Sequence, residues 1–442
     1  MPPTFRSMNS MKPKFNTAPT DSQIQHHPVI GISEWMCYYT NYNKPCSGPE
    51  VIDQCIDLHQ HWGINHIVWN CGRSVVDYWS DLPNATMQCV DSHLVGGQDW
   101  SFVTKIMEKI CPLRQAISLC RDRNMPILGR LGMNRHYGSA DYAGVTSRFA
   151  YDNLHLHEKT KLGNPVPHRL CYATEEVQQE RIDILLEIQR IGVDGLVLDF
   201  CRQIPILMYH PALVDPFIAK HSVDPRKIQS RNPDDFQQWF QYRADILTGF
   251  MKKLRQAVQE QEKMLGYACP IITRVPDNAP WLMIAFGLDI ERWCAKDLID
   301  GLMLSPFPLC RDDPGHYHAY HVEVAHRHNK ICIGGIGSKK LIESGTQQNT
   351  GFFDPQPVYN WAKKQYQAGV DAISLYQSET LVRMDYLKET LTAIGDQKLV
   401  AQRAKSMPEP DFPSDYTICM DWHTNVPGQH SIDVSQVGDG AL

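Results

Sequence analysis

Short apolar runs alternate with longer amphipathic segments from residue 28 to about residue 395. Each run is nearly continuous in apolar residues, as is typical of parallel strands buried on both faces. The eight runs are HPVIGIS, INHIVWN, MPILGRL, GVDGLVLDF, CPIITRV, LIDGLMLSP, KICIGGI and VDAISLY. This pattern predicts eight buried strands connected by helices.

Helical spacing of apolar residues marks several of the intervening segments. Residues 175–190 show it, with Thr174 placed to cap the helix, and residues 234–261 and 358–368 repeat it. Eight strands that alternate with helices indicate an α/β fold of the (β/α)8 TIM barrel type. A doubly wound open sheet is the alternative, but no strand is followed by the GxGxxG or P-loop signature that would favour it.

The pattern divides the chain into three parts. Residues 1–27 are polar and aperiodic, which predicts a flexible tail, and residues 28–397 form the predicted barrel. Residues 398–442 begin with a Pro-rich breaker, and TICMDWH and HSIDVSQVG then predict a hairpin or two short strands packed on the barrel. The connections near 131–173 and 201–233 are long, and loops of this kind build the active-site face of a barrel.

Charge and cysteine content narrow the choice of partners and compartment. The net charge is −6 without a basic stripe, which argues against nucleic acid as the main partner. No apolar run approaches the ~20 residues of a membrane span, so we expect no membrane partner. The 14 cysteines include no CxxC pair and the N-terminus has no apolar core, so we expect a cytoplasmic protein. A signal peptide removed earlier and a homo-oligomer are both compatible with the sequence.

The end of the fourth predicted strand carries the strongest catalytic candidate. Asp199 terminates an apolar run, so its carboxylate should lie at the barrel mouth, the end at which the strands finish. A charge there needs a partner, and Arg202 is the nearest candidate. The alternative is that Asp199 only forms a salt bridge and caps the next loop. Asp194, Asp300 and Asp371 stand at strand starts instead, where we expect turn and capping roles.

Polar and aromatic residues at the other strand ends suit a sugar, which has apolar CH faces and hydroxyl edges. The predicted substrate-binding residues are Glu34, Trp35, Asn70, Arg73, Arg130, Asn134, Arg202, Arg274 and Tyr376. Four arginines around one mouth would suit an acidic sugar, because guanidinium groups pair with carboxylates. For any single aromatic residue, packing in the core is the competing interpretation.

Glycoside cleavage needs two carboxyl groups across the scissile bond. Asp199 would be the nucleophile or base. Glu379, just past the eighth strand, is the first choice for the second carboxyl, and Asp277, Glu34 and Asp312 compete with it. His136 could donate the proton if no second carboxyl faces Asp199, because its pKa ordinarily lies near neutrality.

A histidine-rich stretch, HYHAYHVEVAHRH at 316–328, raises the question of a metal. The spacings of His318, His321 and His326 do not give the i, i+4 pair of a zinc helix, so we expect solvated or supporting histidines and no metal site. No nicotinamide, flavin, phosphate or pyridoxal signature is visible, and we predict no cofactor.

The stretch GVDGLVLDFCRQIP, residues 192–205, resembles the fourth-strand motif of glycoside-hydrolase-like barrel proteins of the "family 10 glycosyl hydrolase-like" type. That motif is an apolar strand, Asp, an aromatic residue, any residue, Arg and a nearby Pro, here Asp199, Phe200, Arg202 and Pro205. LCYATEEVQQERIDILLEI and RVPDNAPWLMIAFGLDIERWCAKDLIDGLMLSPF are similar to bacterial members. The resemblance spans roughly residues 28–395 and implies a barrel with Asp199 as the catalytic candidate. Glycoside hydrolase barrels commonly carry a glutamate on strand four and another on strand seven. In this chain strand four carries Asp, and strand seven ends in Gly.

The sequence therefore favours a glycoside hydrolase acting on a carbohydrate, with a preference for an acidic sugar. A glycan-binding barrel without catalysis and a metal-dependent hydrolase are the alternatives. Fold alone does not separate these three.

Overall fold

The computed structural model describes residues 26–36, 48–134, 136–137, 140–201, 204–228, 233–305, 317–337, 355–382, 385–405, 417–419 and 431–433. Residues 1–25 of the predicted tail at 1–27 lie outside this part. So do Arg202 and Asp312.

Eight parallel strands close into a barrel, each paired with its neighbours in chain order and the first paired with the last. The strands are β1 (Val29–Ser33), β2 (His66–Gly72), β3 (Ile127–Gly132), β4 (Gly195–Asp199), β5 (Ile271–Pro276), β6 (Gly301–Ser305), β7 (Ile331–Gly337) and β8 (Ala372–Tyr376). Each lies within or beside one of the eight predicted runs, so the predicted (β/α)8 barrel is confirmed.

Helices follow the strands and form the outer layer. They are α1 (Glu50–His61), α2 (Ser101–Met107), α3 (Pro112–Asp122), α4 (Arg148–Asp152), α5 (Glu175–Ile191), α6 (Pro211–His221), α7 (Pro233–Leu265), α8 (Pro280–Phe286), α9 (Ile290–Ala295), α10 (His318–Arg327), α11 (Pro355–Ala368), α12 (Ser378–Leu381), α13 (Lys388–Ala393) and α14 (Gln397–Arg403). Within the described ranges, no helix combines the length and apolarity needed to cross a bilayer.

Three short antiparallel strand pairs lie outside the barrel sheet. Leu94–Val95 pairs with Gln98–Asp99, and His157–Lys159 pairs with Pro165–Leu170 in the long loop after β3. Thr417–Cys419 pairs with Ser431–Asp433, so the described parts of the two segments predicted near the C-terminus are antiparallel partners. Their packing on the barrel stays a prediction.

The barrel has two apolar layers because strand side chains alternate between its inside and its outside. The inside is filled by a small cluster that includes Ile32, Val68, Val197 and Met303. The outward side chains pack against the helices in a much larger core. Burial of each such side chain contributes roughly 1.5–3 kcal/mol, so these two layers fix the positions from which the strand ends project.

The aspartates at strand starts hold neighbouring strands together. The carboxylate of Asp194 accepts a hydrogen bond from the backbone N–H of Ile127 at 2.8 Å, and Asp300 does the same for Ile271 at 2.7 Å. Asp371 accepts from the N–H of Cys332, also at 2.7 Å. Each carboxylate thus takes up a backbone donor at the start of the preceding strand, in agreement with the structural role predicted for it.

The prediction for Thr174 was wrong in its detail. Thr174 does stand just before α5, but its side chain makes no capping bond to that helix. Its hydroxyl instead donates to the carbonyl of Cys171 at 2.7 Å. A threonine hydroxyl can bond locally to the preceding turn, and here that bond replaces the cap.

Candidate active site

Asp199 is the last residue of β4, and its register partner on β5 is Arg274. Nη1 of Arg274 lies 2.9 Å and 3.1 Å from the two oxygens of the Asp199 carboxylate, and Nη1 of Arg130 lies 3.4 Å from one of them. The carboxylate also accepts from the backbone N–H of Cys201 at 3.0 Å. Only 6% of Asp199 is exposed, so its charge is held in place by these buried partners.

Arg130 connects Asp199 to a second carboxylate. Its Nη2 donates to Glu34 at 2.6 Å and to the side-chain oxygen of Asn70 at 2.7 Å. Arg73 forms a further salt bridge to the other oxygen of Glu34. Five residues in the order Arg73, Glu34, Arg130, Asp199, Arg274 thus alternate in charge across the barrel mouth, and we call them the mouth network.

Tyr376, the last residue of β8, lies against two guanidinium groups of the mouth network. Its ring centre is 4.4 Å from the Arg274 guanidinium carbon and 5.9 Å from that of Arg130. An aromatic face attracts cations, so the ring lowers the repulsion between these two arginines. Ser305 at the end of β6 accepts from Nη2 of Arg274 at 2.8 Å and fixes the far side of that guanidinium.

Glu379 stands in the first turn of α12, directly after β8, and its side chain is buried. Its carboxyl oxygen accepts from the backbone N–H of Glu34 at 3.3 Å. Burial, and secondly the charge of Glu34, raise the pKa of Glu379 to about 8, although Arg130 acts in the opposite direction. Glu379 therefore holds a proton at neutral pH, beside a network whose carboxylates are salt-bridged.

Sequence reasoning missed Asp77, which supports the network from the loop after β2. Asn70 donates from its amide to Asp77 while its oxygen accepts from Arg130, so the two partners fix the orientation of the amide. Burial raises the pKa of Asp77 to about 7 against the opposing charge of Arg73. A lone carboxyl inside the apolar run Val75–Tyr78 was the available signal, because a charge in such a run needs a partner.

Two of the predicted sugar-binding residues, Trp35 and Asn134, make contacts within the protein that explain their burial. Trp35 is fully buried and meets Phe102 edge-on, with ring centres 6.4 Å apart. Asn134 donates to the carbonyl of Ile206 at 2.8 Å and accepts from the N–H of Leu170 at 3.4 Å, which ties two loops together. His136, the alternative proton donor, is buried in the loop after β3.

Asp277 lies against α10. Its carboxylate oxygens are 2.5 Å from Nδ1 of His318 and 3.4 Å from Nε2 of His321. Both histidines are buried, so of the two roles expected for them, solvated or supporting, the supporting role fits their contacts. Burial lowers the pKa of His321. Among the residues with described positions, no three His, Cys, Asp or Glu side chains are arranged to hold a metal ion.

The mouth network and Glu379 together place one protonated carboxyl group beside two salt-bridged carboxylates. Glu34 and Arg130 connect Glu379 to Asp199. A pair of carboxyl groups in such different environments can divide the roles of acid and base or nucleophile. Asp199 and Glu379 are the two predicted catalytic residues that the structure connects in this way, whereas Asp277 makes its contacts elsewhere.

No protein-family model matches the chain, and no curated protein matches it. Among solved structures, it is similar to an alpha-L-fucosidase isoenzyme of Paenibacillus thiaminolyticus, with 12% identity, a TM-score of 0.53, and coverage of 85% of this chain and 49% of that one. A maltogenic alpha-amylase of Thermotoga neapolitana matches with 10% identity, a TM-score of 0.42, and coverage of 86% and 77%. A family 18 N-acetylglucosaminidase of Paenibacillus barengoltzii matches with 10% identity, a TM-score of 0.41, and coverage of 83% and 99%. The chain spans about half the length of the fucosidase, and the likeness between the two shows a shared barrel fold.

Proposed function

We propose that the protein is a glycoside hydrolase whose reaction takes place at the mouth network. The observation that carries this proposal is the pair Asp199 and Glu379. Asp199 is salt-bridged to two arginines, while burial raises the pKa of Glu379 to about 8. Glycoside hydrolysis needs one carboxyl that keeps its proton and one that does not.

In this proposal Glu379 donates its proton to the glycosidic oxygen as the bond to the anomeric carbon breaks. Asp199 then acts in one of two ways. As a nucleophile it attacks the anomeric carbon, and water later releases the sugar; as a base it removes a proton from the attacking water. In both cases its negative charge faces the positive charge that develops on the sugar, and Arg274 and Arg130 keep its oxygens in place.

An acidic sugar is the proposed substrate class. The mouth network holds three guanidinium groups against two carboxylates, and protonated Glu379 adds no charge. Arg130 and Arg274 are buried, whereas 23% of the Arg73 side chain is exposed. Arg73 is therefore the arginine of this network best placed to pair with a carboxylate on a substrate.

The test is turnover of a panel of 4-nitrophenyl glycosides that includes β-D-glucuronide and β-D-glucoside. Asp199→Asn should abolish turnover, because the amide keeps the shape and removes the charge. The substitution leaves Arg274 and Arg130 without their anionic partner, so circular dichroism of the same sample checks that the variant is folded. Asp245→Asn, in an exposed salt bridge on α7, is the matched control and should keep full activity.

The other possible results would each point to a different function or a different role for Asp199. Full activity of Asp199→Asn would overturn the proposed role. Glycan binding without turnover across the panel would favour a glycan-binding barrel, and turnover that is lost on chelation would favour a metal-dependent hydrolase. The anomeric form of the first product, read by proton NMR, separates nucleophile from base.

A further inference from the structure

A stacked pair of tyrosines lies in the long loop after β3. The ring centres of Tyr137 and Tyr142 are 5.0 Å apart and their planes differ by 19°. Tyr137 is half-buried, and 37% of Tyr142 is exposed. The exposed part of this stacked pair is an aromatic surface, here called the platform, which the mechanism proposed above does not use.

The platform is anchored to the loop after β2. Tyr142 belongs to a short 3-10 segment, Ala140–Val145, and the N–H of Gly97 donates to the carbonyl of Asp141 at 3.0 Å. The N–H of Cys89 donates to the carbonyl of Gly144 at 2.8 Å, and the Ser74 hydroxyl donates to the carbonyl of Val145. These bonds hold the backbone on both sides of Tyr142, and the stack on Tyr137 orients its ring.

The segment that carries the tyrosine pair is held beside Arg73 of the mouth network. Ser74, which anchors Val145, is the next residue in the chain, and a Cβ at Gly132, the last residue of β3, would come within 3.1 Å of Arg73. Burial lowers the pKa of Arg73, but Glu34 and then Tyr137 raise it, and the net result is well above the ordinary value. Arg73 and the segment from Gly132 to Val145 that carries the two tyrosines therefore lie side by side at the barrel mouth.

We propose that Tyr137 and Tyr142 form a second sugar subsite, which stacks the pyranose ring adjacent to an acidic sugar held at Arg73. This inference rests on the proposed function, since it assumes that an acidic sugar pairs with Arg73. Pyranose rings have apolar CH faces that pack on aromatic rings, while their hydroxyl edges stay in water. The substrate is then an acidic oligosaccharide of at least two residues.

The test measures binding to the full-length protein by calorimetry and by saturation-transfer NMR. The probes are tri-D-galacturonate and a hyaluronan tetrasaccharide, with cellotriose as the neutral comparator and the free acids galacturonate and glucuronate as single sugars. Tyr142→Ala should weaken binding of the acidic oligosaccharide roughly tenfold, and Tyr142→Phe should stay within about twofold, because the ring carries the contact. Binding of the single sugar should be unchanged in both variants.

Tyr151→Ala is the control, because Tyr151 is an exposed tyrosine on α4, with 72% of its surface accessible. The inference is overturned if neither acidic oligosaccharide binds, if Tyr142→Ala weakens single sugar and oligosaccharide equally, or if it changes neither. Binding without hydrolysis would reject the proposed function and keep the subsite. If an aryl uronide is hydrolysed but Tyr142→Ala does not change the binding of oligosaccharides, the proposed function stands and the subsite is rejected.

Discussion

One guanidinium nitrogen of Arg274 bonds to both carboxylate oxygens of Asp199, at 2.9 Å and 3.1 Å. The two residues are register partners on adjacent strands, so the backbone pairing itself brings the groups together. The remaining terminal nitrogen of Arg274 donates to Ser305. Strand geometry thus fixes the orientation of Asp199 before any substrate arrives.

Arg274→Lys should lower kcat roughly tenfold to a hundredfold with a smaller change in KM. Lysine keeps the charge, but its point-like ammonium lacks the planar fork that reaches Asp199 and Ser305 together, so the carboxylate loses its alignment. Steady-state kinetics on the best substrate of the panel checks this. Arg121→Lys, where the lost bond is to the Gly192 carbonyl at the opposite end of the barrel, should leave kcat unchanged. Equal kinetics in both variants would contradict the prediction.

The rate should fall as pH rises through about 8, because Glu379 then loses the proton that the leaving oxygen needs. Glu379→Gln should remove that limb of the pH profile. It should also slow substrates with poor leaving groups by ~10²–10⁴-fold and 4-nitrophenyl glycosides much less, since nitrophenolate leaves without protonation. A variant that slows both substrate types equally would reject Glu379 as the acid.

Glu379 should also make stability depend on pH. Its folded pKa, about 8, exceeds the ordinary 4.5, so between these values the native state holds a proton that the unfolded state releases. The free energy of unfolding therefore falls as pH rises through this range, by up to about 1.4 kcal/mol per pH unit from this group. Glu379→Gln should match the wild type near pH 4 and exceed it above pH 8. Denaturant titrations at both values decide this, and parallel pH dependence in the two proteins would count against it.

The architecture could be predicted from the sequence because parallel strands buried on both faces give continuous apolar runs. The run that contains Gly195–Asp199 shows this directly, and its Asp ends the strand as expected. The partners of Asp199 could not be predicted this way. Arg202 was chosen because it is close in sequence, and it lies outside the described residues. The described partner Arg274 is 75 residues away and is brought near by strand register.

The environment of each carboxyl group could likewise not be predicted from the sequence. Glu379 was placed correctly just past β8, but its raised pKa depends on burial and on Glu34, 345 residues distant. Asp277 also follows a strand end, yet its side chain meets His318 and His321 on α10. Position along a strand predicts that a residue is near the mouth, and only packing decides which way its side chain points.

Asp277→Asn should lower stability and change kcat less than Asp199→Asn does. The substitution removes a buried negative charge that contacts His318 and His321, so we expect a loss of about 1–3 kcal/mol in the free energy of unfolding. Chemical denaturation and steady-state kinetics on the same samples separate the two effects. Loss of turnover without loss of stability would return Asp277 to the catalytic candidates.

Gly31→Ala should destabilise the protein by about 1–3 kcal/mol. A Cβ there would lie 2.7 Å from His59 and 2.9 Å from the Ser378 hydroxyl, and these two side chains are themselves hydrogen-bonded at 2.7 Å. Ser378 precedes Glu379, so activity should fall as well. Gly249→Ala is the opposite case, because that Cβ would meet nothing within 4 Å inside α7. It should stabilise the helix by up to about 1 kcal/mol, and urea unfolding compares the two.

Because charges alternate along the mouth network, its members should not evolve independently of one another. Arg130 is shared by Glu34 and Asp199, so replacing one member alters the surroundings of residues that it does not touch. Substitutions within the network should be epistatic, with coupling energies of about 0.5–3 kcal/mol between neighbours in double-mutant cycles. Related proteins should therefore exchange members of the network in charge-compensated pairs.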